Sequence, residues 1–233
     1  MAEANFVDLS WYAGLNTANF SGSQYVETSS EAPGLTNFYD NDGSNVTTPM
    51  VGASVAYVWE NLAGNPLNLS LGLGAYDMDL TPAKIQGVET QAVNLGNTGT
   101  LNYSLLASSY AFMLEPKLIY ARYRLQPYFL GGIGAAVDTL SNYTETGNPA
   151  QGTSPMNNMF NDQTSTHLAL EFGAGLQYVL HQDQKSALTL GVEYRYFDLG
   201  NASLGTFNGQ TTTGHLSEDL QSSVFDARIG FQF

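Results

Sequence analysis

The chain has 233 residues, a formal net charge of −14 at pH 7 and no cysteine. Charged residues make up 12% of it, well under the roughly 25% of average soluble proteins, whereas aromatic residues are frequent, with 14 Tyr and 12 Phe. The acidic balance excludes nucleic acid as an expected partner, because phosphate groups need a basic surface. No run approaches the roughly eighteen apolar residues that a membrane helix needs.

Eight segments alternate between apolar and polar residues with a period of two, which predicts β-strands with one apolar face. The fifth is ambiguous in phase, because Phe129, Ile133 and Val137 compete with Tyr128 and Leu130 for the same face. In chain order the segments run from about Phe6 to Phe20, Pro49 to Leu62, Leu67 onward, up to Arg122, Pro127 to Tyr143, His167 to Leu180, Leu188 to Phe197 and Val224 to Phe233.

The last segment is the most informative. Its polar face carries both an acid and a base, Asp226 and Arg228, whereas its other face is apolar, with Phe225, Ala227, Ile229, Phe231 and Phe233. Such a strand suits a transmembrane β-barrel, in which lipid covers the apolar face and the polar face lines the interior. An amphipathic edge strand at the end of a soluble protein is the alternative.

The connections alternate between tight turns and long polar stretches. Turns are expected at 63–66, 123–125 and 182–185, and long external loops at about 21–48, 81–100, 144–166 and 205–214. Outer-membrane barrels show this asymmetry, with short periplasmic turns and longer external loops.

We therefore predict one domain over 1–233, an all-β, eight-stranded antiparallel transmembrane β-barrel with both termini in the periplasm. Ten strands are the alternative, since 21–48 could hold an extra hairpin at Asn41-Asp42-Gly43. Interfacial aromatics are expected from Trp11, Tyr12, Tyr57, Trp59, Tyr120, Tyr123, Tyr128, Tyr178, Tyr194 and Tyr196.

The chain resembles the OmpA-transmembrane-domain type of bacterial outer-membrane barrel, the broad family that includes OmpX-like and OmpW-like proteins. The terminal Ile229-Gly230-Phe231-Gln232-Phe233 is similar to the signature read by the barrel-assembly machinery, which implies Phe231 and Phe233 as an assembly signal. The resemblance implies a monomer in the bacterial outer membrane, in contact with lipid and lipopolysaccharide, without a cofactor. Because Met1-Ala2-Glu3-Ala4 lacks a basic start and an apolar core, export by a signal peptide absent from this chain is expected.

The basic residues are few enough for their placement to be informative. Of seven Lys and Arg residues, Lys117, Arg195 and Arg228 fall on predicted inward faces. An eight-stranded barrel is just wide enough to be filled by side chains, and unpaired buried charges are costly. We therefore predict a lumen network that plugs the barrel, with Asp8 and Arg228 as a closure pair; a narrow conduit is the alternative. The inward acids are Asp8, Glu60, Glu115, Glu171, Glu193 and Asp226.

Most of the remaining acids are expected in the loops or at the external rim. Divalent cations could bridge Asp77, Asp79 and Asp198 to lipopolysaccharide phosphates, although dispersed acids more often serve solubility. The full external set is Glu27, Glu31, Asp40, Asp42, Asp77, Asp79, Glu89, Asp138, Glu145, Asp162, Asp198, Glu218 and Asp219.

Three functions are compatible with this pattern. The favoured one is a surface scaffold for interaction or adhesion, because polar and aromatic loops on a rigid scaffold suit a host or surface ligand. The second is an OmpW-like or small-pore conduit for small or hydrophobic solutes.

The third is a lipid A-modifying enzyme. His167 and His215 lie close in sequence to Ser165, Ser217 and Glu218. However, the run 215–218 departs at its fourth position from the His-x-Ser-Asn run of PagL-like deacylases. We expect no enzyme and no catalytic residue.

Overall fold

The computed structural model describes residues 5–27, 34–41, 43, 45–96, 99–147, 155, 159–183, 186–206 and 214–233. Within these ranges the chain is almost entirely β-structure, with two short 3-10 turns at Leu62–Gly64 and Val93–Leu95. No helix in the described part of the chain is long and apolar enough to cross a membrane. The strands are β1 (Asn5–Ser21), β2 (Ser23–Glu27), β3 (Thr36–Asp40), β4 (Asn45–Trp59), β5 (Leu67–Asp77), β6 (Ala83–Thr90), β7 (Thr100–Tyr120), β8 (Leu125–Gly147), β9 (Phe160–Asn161), β10 (Gln163–Gln182), β11 (Ala187–Ser203), β12 (Gly205–Thr206) and β13 (Ser217–Gln232).

Eight of these strands form a closed antiparallel ring in the order β1, β4, β5, β7, β8, β10, β11, β13 and back to β1. The first and last strands meet along almost their whole length, from the pair Asp8–Gln232 to the pair Ser21–Asp219. The predicted all-β, eight-stranded antiparallel barrel is therefore confirmed.

Beyond the ring the same strands continue toward the external side. β2 follows β1 after Gly22 and pairs with β3, as β1 pairs with β4. β3 pairs with β6 as β4 pairs with β5, and β6 pairs with β7 as β5 does. Thus β3 and β4 occupy successive parts of one strand position in the barrel, and β5 and β6, separated by residues 78–82, occupy successive parts of another.

This continuation changes the account of the external segments. The stretches 21–48 and 81–100, expected as loops, contain β2, β3 and β6, and β8 continues to Gly147 within 144–166. Among the described residues β3 and β4 do not pair with each other, so the strand pairing here does not support the ten-stranded alternative, and Asp42 of the expected hairpin lies outside the described residues. Residues 207–213, in the fourth expected loop, lie outside the described residues.

The outward faces of the ring form the apolar band expected for contact with lipid. Phe129 is 70% exposed and Tyr128 only 1%, which resolves the phase of the fifth predicted strand. The sequence predicts Tyr12 and Tyr128 as interfacial aromatics, and this prediction is wrong for both. Both are buried in the lumen, because each occupies an inward position of its strand.

The lumen has two layers of different chemistry. The membrane half holds buried charged side chains, as predicted, whereas the external half holds a hydrophobic core. We call this core the apolar layer; it includes Phe20, Met78, Ile85, Leu105, Leu140, Leu199, Leu204, Leu216 and Leu220. The sequence predicts the polar layer but not the apolar layer above it.

Candidate functional site

Arg195 on β11 is the centre of the charged layer and is 1% exposed. Its Nε and Nη2 donate to Asp226 Oδ2 at 3.0 and 2.8 Å, and its Nη1 donates to Glu171 Oε1 at 3.3 Å. Glu193 Oε2 lies 3.6 Å from Nε, and Glu115 Oε1 lies 4.0 Å from Nη1. One guanidinium thus links carboxylates from β7, β10, β11 and β13 across the lumen.

Aromatic rings enclose the same guanidinium. Its carbon lies 4.3 Å from the ring centroid of Tyr76, 4.6 Å from that of Tyr12 and 5.5 Å from that of Phe197. The Tyr76 hydroxyl donates to Glu115, which ties the aromatic rings to the acids. Stacking on aromatic faces and forked hydrogen bonding both suit arginine better than lysine. Sequence reasoning missed these rings, although each has an inward position in the alternation.

Arg228 on β13 forms the second centre, at the seam between the first and last strands. Its Nη2 lies 2.6 Å from Asp8 Oδ1, its Nε donates to Ser10 Oγ at 2.9 Å, and its Nη1 donates to Gln177 Oε1 at 2.8 Å. Gln232 Nε2 donates to Asp8 Oδ2 at 3.0 Å. The pair Asp8–Arg228, which the sequence suggests as a closure pair, is thus present at the seam.

Glu193 joins the two centres. Its Oε1 lies 3.7 Å from Lys117 Nζ and 3.9 Å from Arg228 Nε, in addition to the contact of Oε2 with Arg195. Lys117 also lies over the ring of Tyr128, 4.6 Å from its centroid. The charged layer therefore forms one network of three bases, Lys117, Arg195 and Arg228, with five acids, Asp8, Glu115, Glu171, Glu193 and Asp226.

Three of the sequence-predicted residues lie outside this network. Glu60 is only partly buried and lines a polar cavity of about 380 Å³ at the periplasmic mouth, together with Arg122 and Arg124. Phe231 and Phe233 are on the outer face of the barrel, 46% and 60% exposed. Glu60 directly follows the end of β4 at Trp59 and therefore does not reach the charged layer.

Several acids expected on the outside are inside. Asp79, Glu89, Asp138, Glu145 and Glu218 are all buried, because the strands that carry or adjoin them continue their inward alternation above the membrane half. The expectation of external exposure was wrong for these five. In contrast, Glu27, Asp40, Asp162, Asp198 and Asp219 are exposed.

Four of these buried acids, Asp79, Glu89, Asp138 and Glu218, have raised pKa values, and the shift is largest for Glu89 and Glu218. Burial, together with the neighbouring charge of Glu145, raises the pKa of Glu89 to about 8, although Asn37 donates to Glu89 Oε1. Burial also raises the pKa of Glu218 to about 7, against a hydrogen bond from Asn41 that lowers that pKa. Both carboxyl groups therefore bind protons more readily than in water.

The residues considered for lipid A deacylation are only partly assembled. His167 Nε2 lies 2.8 Å from Ser165 Oγ, but none of the described acids forms a hydrogen bond with His167. His215 Nδ1 lies 3.2 Å from the Leu204 carbonyl, and Ser217 Oγ donates to Gln24 Oε1 at 3.3 Å. In the described part of the chain, no Ser–His–acid set is completed.

A closed eight-stranded ring with an apolar outer band and a charged interior defines a membrane β-barrel. The whole chain, residues 1–233, matches the family model described as outer membrane protein beta-barrel domain. The chain belongs to this family of bacterial outer-membrane proteins, and the resemblance predicted from the sequence is confirmed.

Solved structures with a similar chain path are outer-membrane barrels. Neisserial surface protein A is 13% identical, with 97% of each chain covered and a TM-score of 0.41. Ail, the attachment invasion locus protein of Yersinia pestis, is 12% identical, with 97% of this chain and 98% of that chain covered and a TM-score of 0.40. The outer membrane protease OmpT of Escherichia coli is 7% identical, covers 100% and 98%, and has a TM-score of 0.35. No curated protein matches the chain.

Proposed function

We propose that this protein is a non-enzymatic surface protein of the bacterial outer membrane, whose external half contacts partners while the barrel serves as a closed scaffold. The observation that carries the proposal is the filling of the lumen by two successive layers, one charged and one apolar. A lumen filled in this way supports a structural role for the barrel better than a transport role.

The charged layer resists flow because its members are held from several strands at once. Arg195 contacts acids on four strands, and Arg228 joins β1, β10 and β13 through Asp8, Gln177 and its own strand. Removing one member would leave other buried charges unpaired, which is strongly unfavourable. The network is therefore a rigid plug.

The apolar layer resists flow for a different reason. Leu140, Leu204 and Leu216 are completely buried, so the space between them leaves no room for an ion with its hydration shell. Hydrophobic constrictions close channels by excluding water. The two layers thus oppose conduction independently.

The outer surface of the external half supports the contact role. Tyr25 on β2 is 71% exposed, and its ring lies 4.9 Å from that of Phe38 on β3, centroid to centroid. Exposed acids surround the same half at Glu27, Asp40, Asp162, Asp198 and Asp219. Aromatic side chains on rigid strands, with acids around them, suit a protein partner with basic groups.

Planar-bilayer recording tests the closed scaffold. We expect no stepwise conductance from wild-type protein, whereas stable conductance steps would contradict the proposal. Partner contact is tested by pull-down with Tyr25→Ala beside Leu80→Ala, which removes another exposed side chain. Equal recovery of a bound protein by both variants would argue against the Tyr25 surface.

A small-cation conduit is the second candidate, and one observation favours it. The charged layer holds five acids and three bases, and Glu171 Oε2 and Asp226 Oδ1 are buried without a hydrogen-bond partner among the described residues. Water or small cations could satisfy those oxygens. The same recordings, made in asymmetric salt, would then show cation selectivity.

Lipid A modification is the remaining alternative and is carried only by the Ser165–His167 contact. Mass spectrometry of lipid A from cells with the gene, without it and with Ser165→Ala decides the matter. We expect three identical lipid A profiles.

A further inference from the structure

Two buried acids lie at the boundary between the charged layer and the apolar layer. Asp79 follows β5 in the interruption at 78–82, where the backbone N–H of Met78 donates to the Ser109 carbonyl at 3.0 Å. Ser109 on β7 pairs directly with Asp138 on β8. Directly paired residues have Cβ atoms about 4.5–5.5 Å apart, so Asp79 and Asp138 flank the same serine. Asp138 is 0% exposed and Asp79 is 7% exposed.

The surroundings of these carboxylates are polar, and their charged neighbours are acids: Asp77 lies near Asp79, and Asp79 lies near Asp138. Asp79 Oδ1 accepts hydrogen bonds from Asn16 Nδ2 at 3.2 Å and from Thr48 Oγ1 at 2.6 Å. Apart from the neighbouring Ser109 hydroxyl, the oxygens of Asp138 have no hydrogen-bond partner among the described residues. Across the same residues, neither acid forms an ion pair with a base. Two buried negative charges are thus left without a counter-charge, which is unfavourable unless a cation or a proton supplies it.

The amide of Asn16 supplies a further oxygen. Its Nδ2 donates both to the Met78 carbonyl at 3.0 Å and to Asp79, which fixes the orientation of the amide. Its Oδ1 is then buried without a partner among the described residues. The boundary therefore holds carboxylate, amide and hydroxyl oxygens, and the amide oxygen of Asn16 and at least one oxygen of Asp138 lack donors.

The bases of the charged layer are engaged elsewhere. Arg195 is held by Asp226 and Glu171, and its guanidinium is covered by the rings of Tyr76 and Phe197. Lys117 and Arg228 contact Glu193 and Asp8. None of the three forms an ion pair with Asp79 or Asp138 within the described ranges.

We propose that Asp79 and Asp138, with Asn16 Oδ1 and the Ser109 hydroxyl, bind one calcium ion inside the barrel. Calcium takes six to eight oxygen ligands in flexible geometry, and it accepts amide and hydroxyl oxygens beside carboxylates. No group of three or more His, Cys, Asp and Glu residues suited to a metal occurs in the described residues, so neutral oxygens and water complete the ligand set. The ion would join β1, β7 and β8 to the interruption between β5 and β6.

The test is refolding of the full chain in detergent with calcium, with magnesium or with a chelator. Because the site is buried, the ion must enter during folding and leave slowly. We expect one calcium per chain after gel filtration into metal-free buffer, measured by plasma mass spectrometry. We also expect a thermal midpoint several degrees higher with calcium than with chelator, read from the heat-dependent gel shift. Magnesium should raise the midpoint less, because it demands a stricter geometry.

Three variants show whether the effect belongs to this site. Asp138→Asn and Asp79→Asn should each lose both the bound calcium and the rise in midpoint, and Asp138→Asn should refold at least as well as wild type in chelator. Asp198→Asn, which removes an exposed acid, should retain both. Calcium retained equally by all three variants would mean an adventitious ion only and would overturn the proposal. A wild-type midpoint that does not respond to calcium would overturn it too.

Discussion

Asp8 on β1 and Arg228 on β13 form a 2.6 Å ion pair across the seam where the first and last strands meet. The two residues are 220 positions apart in the chain, and both are buried. The pair can therefore form only when the barrel closes. The pair requires each strand to present its residue to the lumen and requires the ring to be closed.

Replacing Arg228 with Ala tests the energetic weight of this seam. The change leaves Asp8 buried without its base, so we expect a loss of roughly 3–5 kcal/mol in the free energy of unfolding. The urea midpoint of the folded barrel in detergent, read by the heat-dependent gel shift, measures the loss. Arg124→Ala is the control, because Arg124 is exposed at the periplasmic mouth. If Arg228→Ala were as stable as this control, water entering the lumen would be compensating the unpaired charge of Asp8.

Arg195→Lys should destabilise the barrel although the charge is kept. Lysine would lose the forked contact with Asp226 and the stacking on Tyr12 and Tyr76. Hydrogen bonds to charged groups and cation–π contacts together indicate a loss of about 2–4 kcal/mol. The same urea titration measures it. If the lysine variant matched wild type, the charge alone would account for the role of Arg195.

Glu89 should make the folded barrel less stable as pH rises. Its pKa is raised in the folded barrel from 4.5 to about 8, so between these values the folded chain binds a proton that the unfolded chain does not. The contribution of Glu89 to stability should be complete below pH 4.5 and fall as pH rises to about 8, by at most about 1.4 kcal/mol for each pH unit. Urea midpoints at pH 5, 7 and 9 measure the slope.

The matched variants for this pH effect are Glu89→Gln and Glu27→Gln. The first should make the fall in stability with pH less steep, because glutamine does not titrate, whereas Glu218, whose pKa is also raised, still contributes. The second should keep the full slope, because Glu27 is exposed. If Glu89→Gln and wild type show the same slope, another group is responsible.

The apolar layer should contribute to stability as the core of a soluble protein does. Leu140→Ala leaves a cavity at a completely buried position, which indicates a loss of about 2–5 kcal/mol. Leu80→Ala, at a position 49% exposed, should change stability by no more than about 0.5 kcal/mol. Thermal midpoints in detergent compare the two. Equal small effects would mean that the external half is loosely packed.

The terminal Phe should matter for assembly more than for stability. Phe233 exchanges backbone hydrogen bonds with Val7 at 2.9 and 3.0 Å, and these survive Phe233→Ala, whereas the exposed ring is lost. We expect less assembled barrel in cells, measured by the gel shift of outer-membrane fractions, with an unchanged midpoint for the purified variant. Phe225→Ala, at another exposed position, is the control. If Phe233→Ala assembled normally, the Phe233 side chain would not be needed for assembly.

The alternation of apolar and polar residues was sufficient to predict the number of strands in the ring and nearly all their faces. In the membrane half every outward position meets lipid, so the apolar residues repeat with a clear period of two. The fifth strand was ambiguous because glycines at 131, 132 and 134 give no signal for either face. At Gly134 a Cβ would lie 1.9 Å from the Phe112 carbonyl oxygen, so close packing of the strands requires the glycine.

Only the tertiary structure decided which charges meet and where the strands end. Lys117 contacts Glu193 on a strand that is not its neighbour, across the lumen, and no spacing along the chain encodes that distance. The external strands β2, β3 and β6 were mistaken for loops because their outward faces meet water, so the apolar half of the alternation disappears. Their inward residues are recognisable only when the ring places Ile85, Leu105 and Leu140 in one core. The lipid environment thus imposes a pattern on the sequence of the membrane half, whereas the external half is specified by contacts between distant residues.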